Sequence, residues 1–242
     1  MVATPRRLAC SALLLAGVPL AGCGTGTGGT PATAASHSAS VGKATVDAPK
    51  AVKPVQACQR VKAPAAKSSA RMAKPRTTLD PSRRYVVTFA TNCGKIAIEL
   101  DVRRAPRTTS SFAYLVKRRF YDDLTFHRVA AGFVIQGGDP NGDGSGGPGY
   151  TVVERPPSNL RYTRGTVAMA KTETDPSGAS GSQFFIVTAR DAPLPPQYAL
   201  VGRVVGSFAA VKAIGRLSTD PPQDGAPTIP VVISRARLSV LG

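Results

Sequence analysis

The sequence predicts a mainly β domain of about eight short strands and two helices, a sandwich or a barrel, carried behind a structureless basic tether. Three observations predict it. From Tyr85 onward, short apolar runs recur between Gly- and Pro-rich breaks. Only two segments carry a helical period, and the 158 residues from 85 to 242 suffice for one full core. Before Tyr85, large apolar side chains almost vanish beyond the first two dozen residues.

Residues 1–22 read as an address rather than a fold. Arg6 and Arg7 precede an apolar stretch from Leu8 to Ala21, and Leu20-Ala21-Gly22-Cys23 follows. This order is that of a signal peptide. The small residues before Cys23 resemble the lipobox of bacterial lipoproteins, in which the thiol takes a diacylglycerol and the chain is cut before it. That resemblance implies palmitate-type acylation at Cys23 and a mature protein anchored on the extracytoplasmic face of the cell membrane; ordinary secretion with a free Cys23 thiol is the alternative. No apolar run reaches the roughly 18–20 residues that span a bilayer as a mature helix, which excludes a multi-pass protein.

Residues 23–84 read as a flexible linker of Gly, Thr, Ala, Ser, Pro and Lys, without a sustained period of 2 or 3.6. Over 43–84 eleven basic residues face two acidic ones, so most of the formal charge of +17 lies on the linker. It lacks the interleaved aromatics of a nucleic-acid stacking platform, so no nucleic-acid partner is expected. A solvated, self-repelling spacer and a strip that adheres to anionic envelope polymers are the two readings of this charge. Cys10 leaves with the signal peptide and Cys23 is assigned to lipid. Pairing Cys58 with Cys93 is then the economical arrangement in a compartment where disulfides persist, two unpaired thiols being the alternative. Such a bridge contributes about 3–4 kcal/mol in the chain-entropy model.

Tyr85, Val87 and Phe89 alternate with Val86, Thr88 and Ala90, and after Asn92-Cys93-Gly94 the residues Ile96, Ile98 and Leu100 alternate with Lys95, Ala97 and Glu99. This is an amphipathic hairpin. Thr108 or Thr109 can cap a helix on which Phe112, Leu115 and Val116 share a face and whose last turn is basic. A second helix runs from Ser207 to Ile214, with Gly215 as its stop. Further strand-like runs occupy 125–129, 133–136, 166–170, 183–188, 200–204 and 231–238. The Pro-rich stretch 220–230 reads as a surface loop.

Two motifs in the loop 137–150 fail on inspection. Asp139-Pro-Asn141-Gly-Asp143-Gly144 begins like a calcium loop, but Tyr150 stands where a bidentate Glu is needed and neither flank is helical. Gly142-x-Gly144-x-x-Gly147 opens no helix to face a pyrophosphate. The loop is therefore read as a tight structural turn. With only His37 and His127 in the chain, multi-His metal sites and His-based triads have little scope, and no metal is expected.

Three blocks carry a resemblance. Phe126-His127-Arg128-Val129-Ala130-Ala131-Gly132-Phe133-Val134-Ile135-Gln136-Gly137-Gly138-Asp139-Pro140, the run from Arg164 to Ala170, and the run from Ser180 to Thr188 resemble the cyclophilins, the peptidyl-prolyl cis-trans isomerases, in order and spacing. The likeness extends over 85–240. It implies a closed eight-stranded antiparallel β-barrel capped by two α-helices, with the site in a groove on its outer surface and no cofactor. By the same resemblance Arg128 is the catalytic residue and Gln136 holds the substrate carbonyl region. Phe133, Val134, Phe185 and Leu194 form the apolar pocket, Met169 and Gln183 line it, and the backbone of Ala170 and Lys171 binds the peptide chain. Tyr198 stands where the family often has His, and Lys171 and Thr172 where it often has Asn and Ala, which adds a charge beside the groove. The expected partner is a proline-containing polypeptide, and the expected state a monomer assisting the folding of exported proteins.

Overall fold

The hairpin read from its period-2 pattern forms as expected, as β1 (Arg84–Thr91) and β2 (Gly94–Leu100) joined through Asn92-Cys93. All six of its inward residues, Tyr85, Val87, Phe89, Ile96, Ile98 and Leu100, are buried. The computed structural model describes residues 57–67 and 71–241. The signal peptide, Cys23, His37 and the first part of the linker lie outside the described residues.

The first helix, α1 (Pro106–Lys117), starts earlier than its expected caps. Ala105 is the N-cap and Pro106 opens the helix, where a missing N–H costs no hydrogen bond. Thr108 and Thr109 are buried inside the first turn instead. Two helix-end donors are taken by a distant carboxylate: Glu154 accepts from the Arg107 N–H at 3.0 Å and the Thr108 N–H at 2.7 Å. A charged acceptor at the positive end of the helix replaces the side-chain cap.

After α1 come β3 (Leu124–Thr125), β4 (Arg128–Ala130), β5 (Val134–Gly137), β6 (Val152–Val153), β7 (Tyr162–Thr163), β8 (Thr166–Met169), β9 (Ala179–Ser180), β10 (Phe184–Val187), β11 (Asp191–Ala192) and β12 (Leu200–Val205). The short helix α2 (Ala209–Ile214) follows, then β13 (Thr219–Asp220), β14 (Asp224–Pro227) and β15 (Val232–Leu241). The main sheet runs β13-β14-β4-β5-β10-β8-β12-β2-β1-β15-β3, antiparallel throughout. This corrects the expected closed eight-stranded barrel: eleven strands form an open, curled half-barrel, and among the described residues no ladder joins β13 to β3. The expected strand over 125–129 is split in two. Phe126 is fully buried and gives its N–H to the Val231 carbonyl at 2.9 Å, so the chain leaves β15 at Thr125 and pairs with β5 only from Arg128.

The central strands are buried on both faces. On β10, Phe184 and Ile186 enter the main core while Phe185 and Val187 join a second, smaller cluster; on β5, Ile135 faces the core and Val134 the second cluster. Phe184 stacks on Phe89 at 5.3 Å between ring centres, with Phe112, Tyr121 and Phe126 packed edge-on around it. The Tyr121 hydroxyl donates to the Ser182 carbonyl at 3.0 Å, and burial pushes its pKa well up, so it stays a neutral donor.

The end of the expected linker is not free of the domain. Residues 57–67 and 71–83 form no helix or strand, yet they are strapped along the surface. Cys58 is disulfide-bonded to Cys93. Backbone N–H groups of Gln59, Lys67 and Met72 donate to the carbonyls of Asn92, Pro140 and Pro148, and Leu79 N–H donates to Ser110 Oγ at 2.8 Å. Cys58, Met72 and Leu79 pack against the main core. Three apolar side chains spaced far apart carry no period, which is why this strap reads as linker in the sequence.

Candidate functional site

The second cluster lies on the outer face of β5, β8 and β10, and the polar residues beside it are set by strand register. Arg128 on β4 stands opposite Gln136 on β5, and Gln136 stands opposite Phe185 on β10. One row across three strands thus carries a cation, an amide and an aromatic ring. Gly138 follows β5 at φ +87°, and a side chain there would meet the Ser182 carbonyl at 2.6 Å, so only glycine lets the two segments approach.

A hydrogen-bonded chain fixes the polar half. Asp224 accepts from Arg128 Nε and Nη2 at 2.7 Å each, a bidentate pair. Arg128 Nη1 donates to Gln136 Oε1 at 3.2 Å, Gln136 Nε2 donates to Gln183 Oε1 at 3.0 Å, and Gln183 Nε2 donates to the carbonyls of Gly144 and Gly146. Those carbonyls belong to the loop read as a structural turn. Asp139 is buried beneath it and accepts from the Asn141 and Asp143 N–H groups. Among the described residues no cluster of three or more potential metal ligands occurs.

The apolar half is Phe185 and Val134, buried, with Phe133, Leu194, Ala170 and Tyr198 half-buried around them. Tyr198 meets Phe185 edge-on at 5.4 Å. Tyr162, which the sequence reading missed, supports both: its hydroxyl donates to the Tyr198 carbonyl at 2.7 Å and accepts from the Tyr198 N–H. Burial raises its pKa to about 12, so it too stays protonated. The Lys171 ammonium lies 5.7 Å from the Tyr198 ring centre and donates to the carbonyls of Thr172 and Asp175. Beside it, hydrogen bonds from Thr172 hold the Asp175 carboxyl below its usual range, so the added charge is offset in place. Ala170 gives its N–H to the Gln183 carbonyl at 2.9 Å. A cavity of about 550 Å³ adjoins the apolar patch, lined by Gln136, Gln183, Ala170, Lys171 and the 144–151 loop.

The register therefore gathers Arg128, Phe133, Val134, Gln136, Ala170, Lys171, Gln183, Phe185, Leu194 and Tyr198 on one face. Met169 is the exception. It is 1% exposed and packs in the main core, because β8 turns Ala168 outward and Met169 inward. Asp224 is the second residue the sequence reading missed. The stretch read as a surface loop forms the hairpin β13–β14, in which Gly225 sits so close to Asp220 that a side chain would meet its carbonyl at 2.4 Å. The hairpin pairs with β4 and so delivers Asp224 to Arg128. An acidic residue in a Pro-rich loop carries no signal of this in the sequence.

Residues 86–238 match the family model described as cyclophilin type peptidyl-prolyl cis-trans isomerase/CLD. The chain is 35% identical over 179 residues to peptidyl-prolyl cis-trans isomerase A of Mycobacterium tuberculosis, an alignment covering 67% of this chain and 96% of that one. It is 40% identical over 121 residues to a peptidyl-prolyl cis-trans isomerase of Helicobacter pylori, over 50% of this chain and 72% of the other. Among solved structures, a cyclophilin type peptidyl-prolyl cis-trans isomerase of Cryptosporidium parvum, crystallised in the presence of the dipeptide Ala-Pro, superposes with a TM-score of 0.59 at 28% identity, covering 64% of this chain and 98% of that one.

Proposed function

The chain belongs to the cyclophilin-type peptidyl-prolyl cis-trans isomerases, and from that membership we propose that it isomerises Xaa-Pro bonds of exported polypeptides at the outer face of the cytoplasmic membrane, with Arg128 assisting the twist of the amide. The bond resists rotation because the amide has partial double-bond character, with a barrier of roughly 18–20 kcal/mol. Twisting it returns the lone pair to the prolyl nitrogen. A cationic donor beside that nitrogen binds the twisted state more tightly than the planar one, which lowers the barrier without nucleophile or metal. Arg128 is that donor, Gln136 holds the carbonyl region, and the proline ring seats against Phe133, Val134, Phe185 and Leu194 with Tyr198 at the rim. The cavity beside the patch leaves room for residues flanking the proline.

The observation that carries this reading is the guanidinium of Arg128, fixed by Asp224 and Gln136 in the same cross-strand row as Phe185, with β5 between them. It is tested by the cis-trans exchange rate of a short Xaa-Pro peptide, measured by NMR with the full chain and with Arg128→Ala. The wild type should accelerate exchange strongly, and the substitution should lower kcat by about 100-fold. A folded wild-type chain that accelerates nothing points instead to a domain that only binds proline segments.

The Leu20-Ala21-Gly22-Cys23 sequence supports a lipid anchor at Cys23, and with it the membrane location. The charge of the linker supports adhesion to anionic envelope polymers near that surface. Such adhesion weakens steeply as ionic strength rises. Binding to an anionic polymer that is indifferent to salt would count against it.

A further inference from the structure

Away from the substrate groove, the strap and the end of α1 border an open cavity of about 680 Å³. Among the described residues five cationic side chains line it: Lys67 and Arg71 from the strap, and Lys117, Arg118 and Arg119 from the end of the helix. Among the described residues no carboxylate lines it, and no residue of the substrate groove does. Lys67 donates to the Asp122 carbonyl, while the Asp122 carboxylate is occupied with the Ala236 N–H at 2.8 Å. Arg71, Lys117, Arg118 and Arg119 are exposed and pair with no acidic side chain among the described residues.

Basic residues at a helix C-terminus are favourable for the helix dipole, which accounts for Lys117 and Arg118 taken alone. Two observations go beyond that. Arg119 holds φ +56°, the left-handed position after a helix where glycine is the usual residue, so the chain keeps a guanidinium at a strained site. Arg71 comes from a different segment and is set in place from outside the helix. Met72 N–H is bonded to the Pro148 carbonyl at 2.9 Å, and the Arg71 Cα lies against Gly149, where a side chain would come within 2.9 Å of it. The strap thus brings its own cations to those of the helix.

We propose that this cavity is a binding site for a linear run of phosphate groups, as in a soluble phosphodiester or polyphosphate chain. Guanidinium forks match phosphate oxygens in pairs, and a concave wall of cations from two segments suits several phosphates in sequence better than one. A concave site also fits a chain that enters it better than a flat bilayer. The site differs from the linker adhesion proposed above in needing the folded strap and the helix end together.

The test uses the full chain and inorganic tripolyphosphate, titrated at low and at physiological salt, with Arg71→Ala, Arg119→Gly and the control Arg216→Ala, an exposed cation after α2 that does not line the cavity. Arg119→Gly relieves the left-handed backbone, so it leaves Tm unchanged or raised while removing a ligand contact. The expected result is a tenfold or greater loss of affinity in Arg71→Ala and in Arg119→Gly, and less than a twofold loss in Arg216→Ala. Equal losses in all three would reduce the site to overall charge and overturn the proposal, leaving the linker reading intact. It is also overturned if tripolyphosphate fails to bind while phosphatidylglycerol in phosphatidylcholine vesicles does, since the surface would then read a bilayer.

Discussion

At the scale of the residue, the proposed mechanism turns on how the five N–H groups of one guanidinium are distributed. Arg128 gives Nε and Nη2 to Asp224 and one Nη1 donor to Gln136, leaving two donors for a substrate. Asp224 therefore fixes the plane of the group and, in the proposed mechanism, leaves the remaining donors to the substrate. The pair is exposed, 38% for the Arg128 side chain and 51% for that of Asp224, and such a pair adds about 1 kcal/mol or less to stability. Asp224→Ala should then lower kcat by about tenfold, because a misplaced donor is ineffective, with KM and Tm nearly unchanged. Peptide exchange kinetics beside a melting curve give the answer, and an unchanged kcat would remove Asp224 from the mechanism. Arg128 was legible from the block around it. Asp224 was not, since it lies 96 residues further on and reaches Arg128 only through a hairpin pairing.

At the scale of the element, the strap bears on the groove through backbone alone. Lys67 and Met72 hold the carbonyls of Pro140 and Pro148, near the two ends of the loop whose Gly144 and Gly146 carbonyls fix Gln183. The match to the family model begins at residue 86, so this support is supplied by chain outside it. Met72→Pro deletes one donor without touching the groove but also removes the side chain that packs on the main core, a loss that Met72→Ala measures by itself. A hydrogen bond of this kind is worth about 1 kcal/mol, so peptide KM should rise by about fivefold with the disulfide intact. Ala65→Pro, at an exposed position of the strap whose N–H makes no hydrogen bond among the described residues, is the control and should leave KM alone. Equal behaviour of the two proline variants would show the strap to be a passenger. The helices show the same limit on sequence reading. Their apolar faces were plain, whereas the cap of α1 comes from Glu154, 46 residues from the N–H it takes.

At the scale of the whole molecule, stability should depend on pH in two separate windows. Both ring nitrogens of His127 are buried without a hydrogen-bond partner among the described residues, and burial lowers its pKa below the ordinary 6.5. The unfolded chain then binds the proton more readily than the folded one, so stability is full above about pH 6.5 and is lost as pH falls through the lowered value. Glu99, held down by its bond to Arg84, acts in the same direction but only as pH falls below its ordinary 4.5. Tm measured between pH 7.5 and 5.5 should fall in the wild type and stay flatter in His127→Asn; parallel curves would place the loss elsewhere.

The sequence by itself determined the β class, the hairpin, the two helix faces and most of the residues gathered at the candidate site, because periods of 2 and 3.6 and a linked set of local blocks are properties of neighbouring residues. Tertiary structure decided the rest. It opened the sheet by splitting the strand at Phe126, and it turned Met169 into the core while Phe185 faced the groove. It also laid residues 57–67 and 71–83 along the domain and brought Asp224 to Arg128. In each case the deciding contact joins segments far apart in the chain. Its energy depends on register and burial, and neither leaves a periodic trace in the residues that make it.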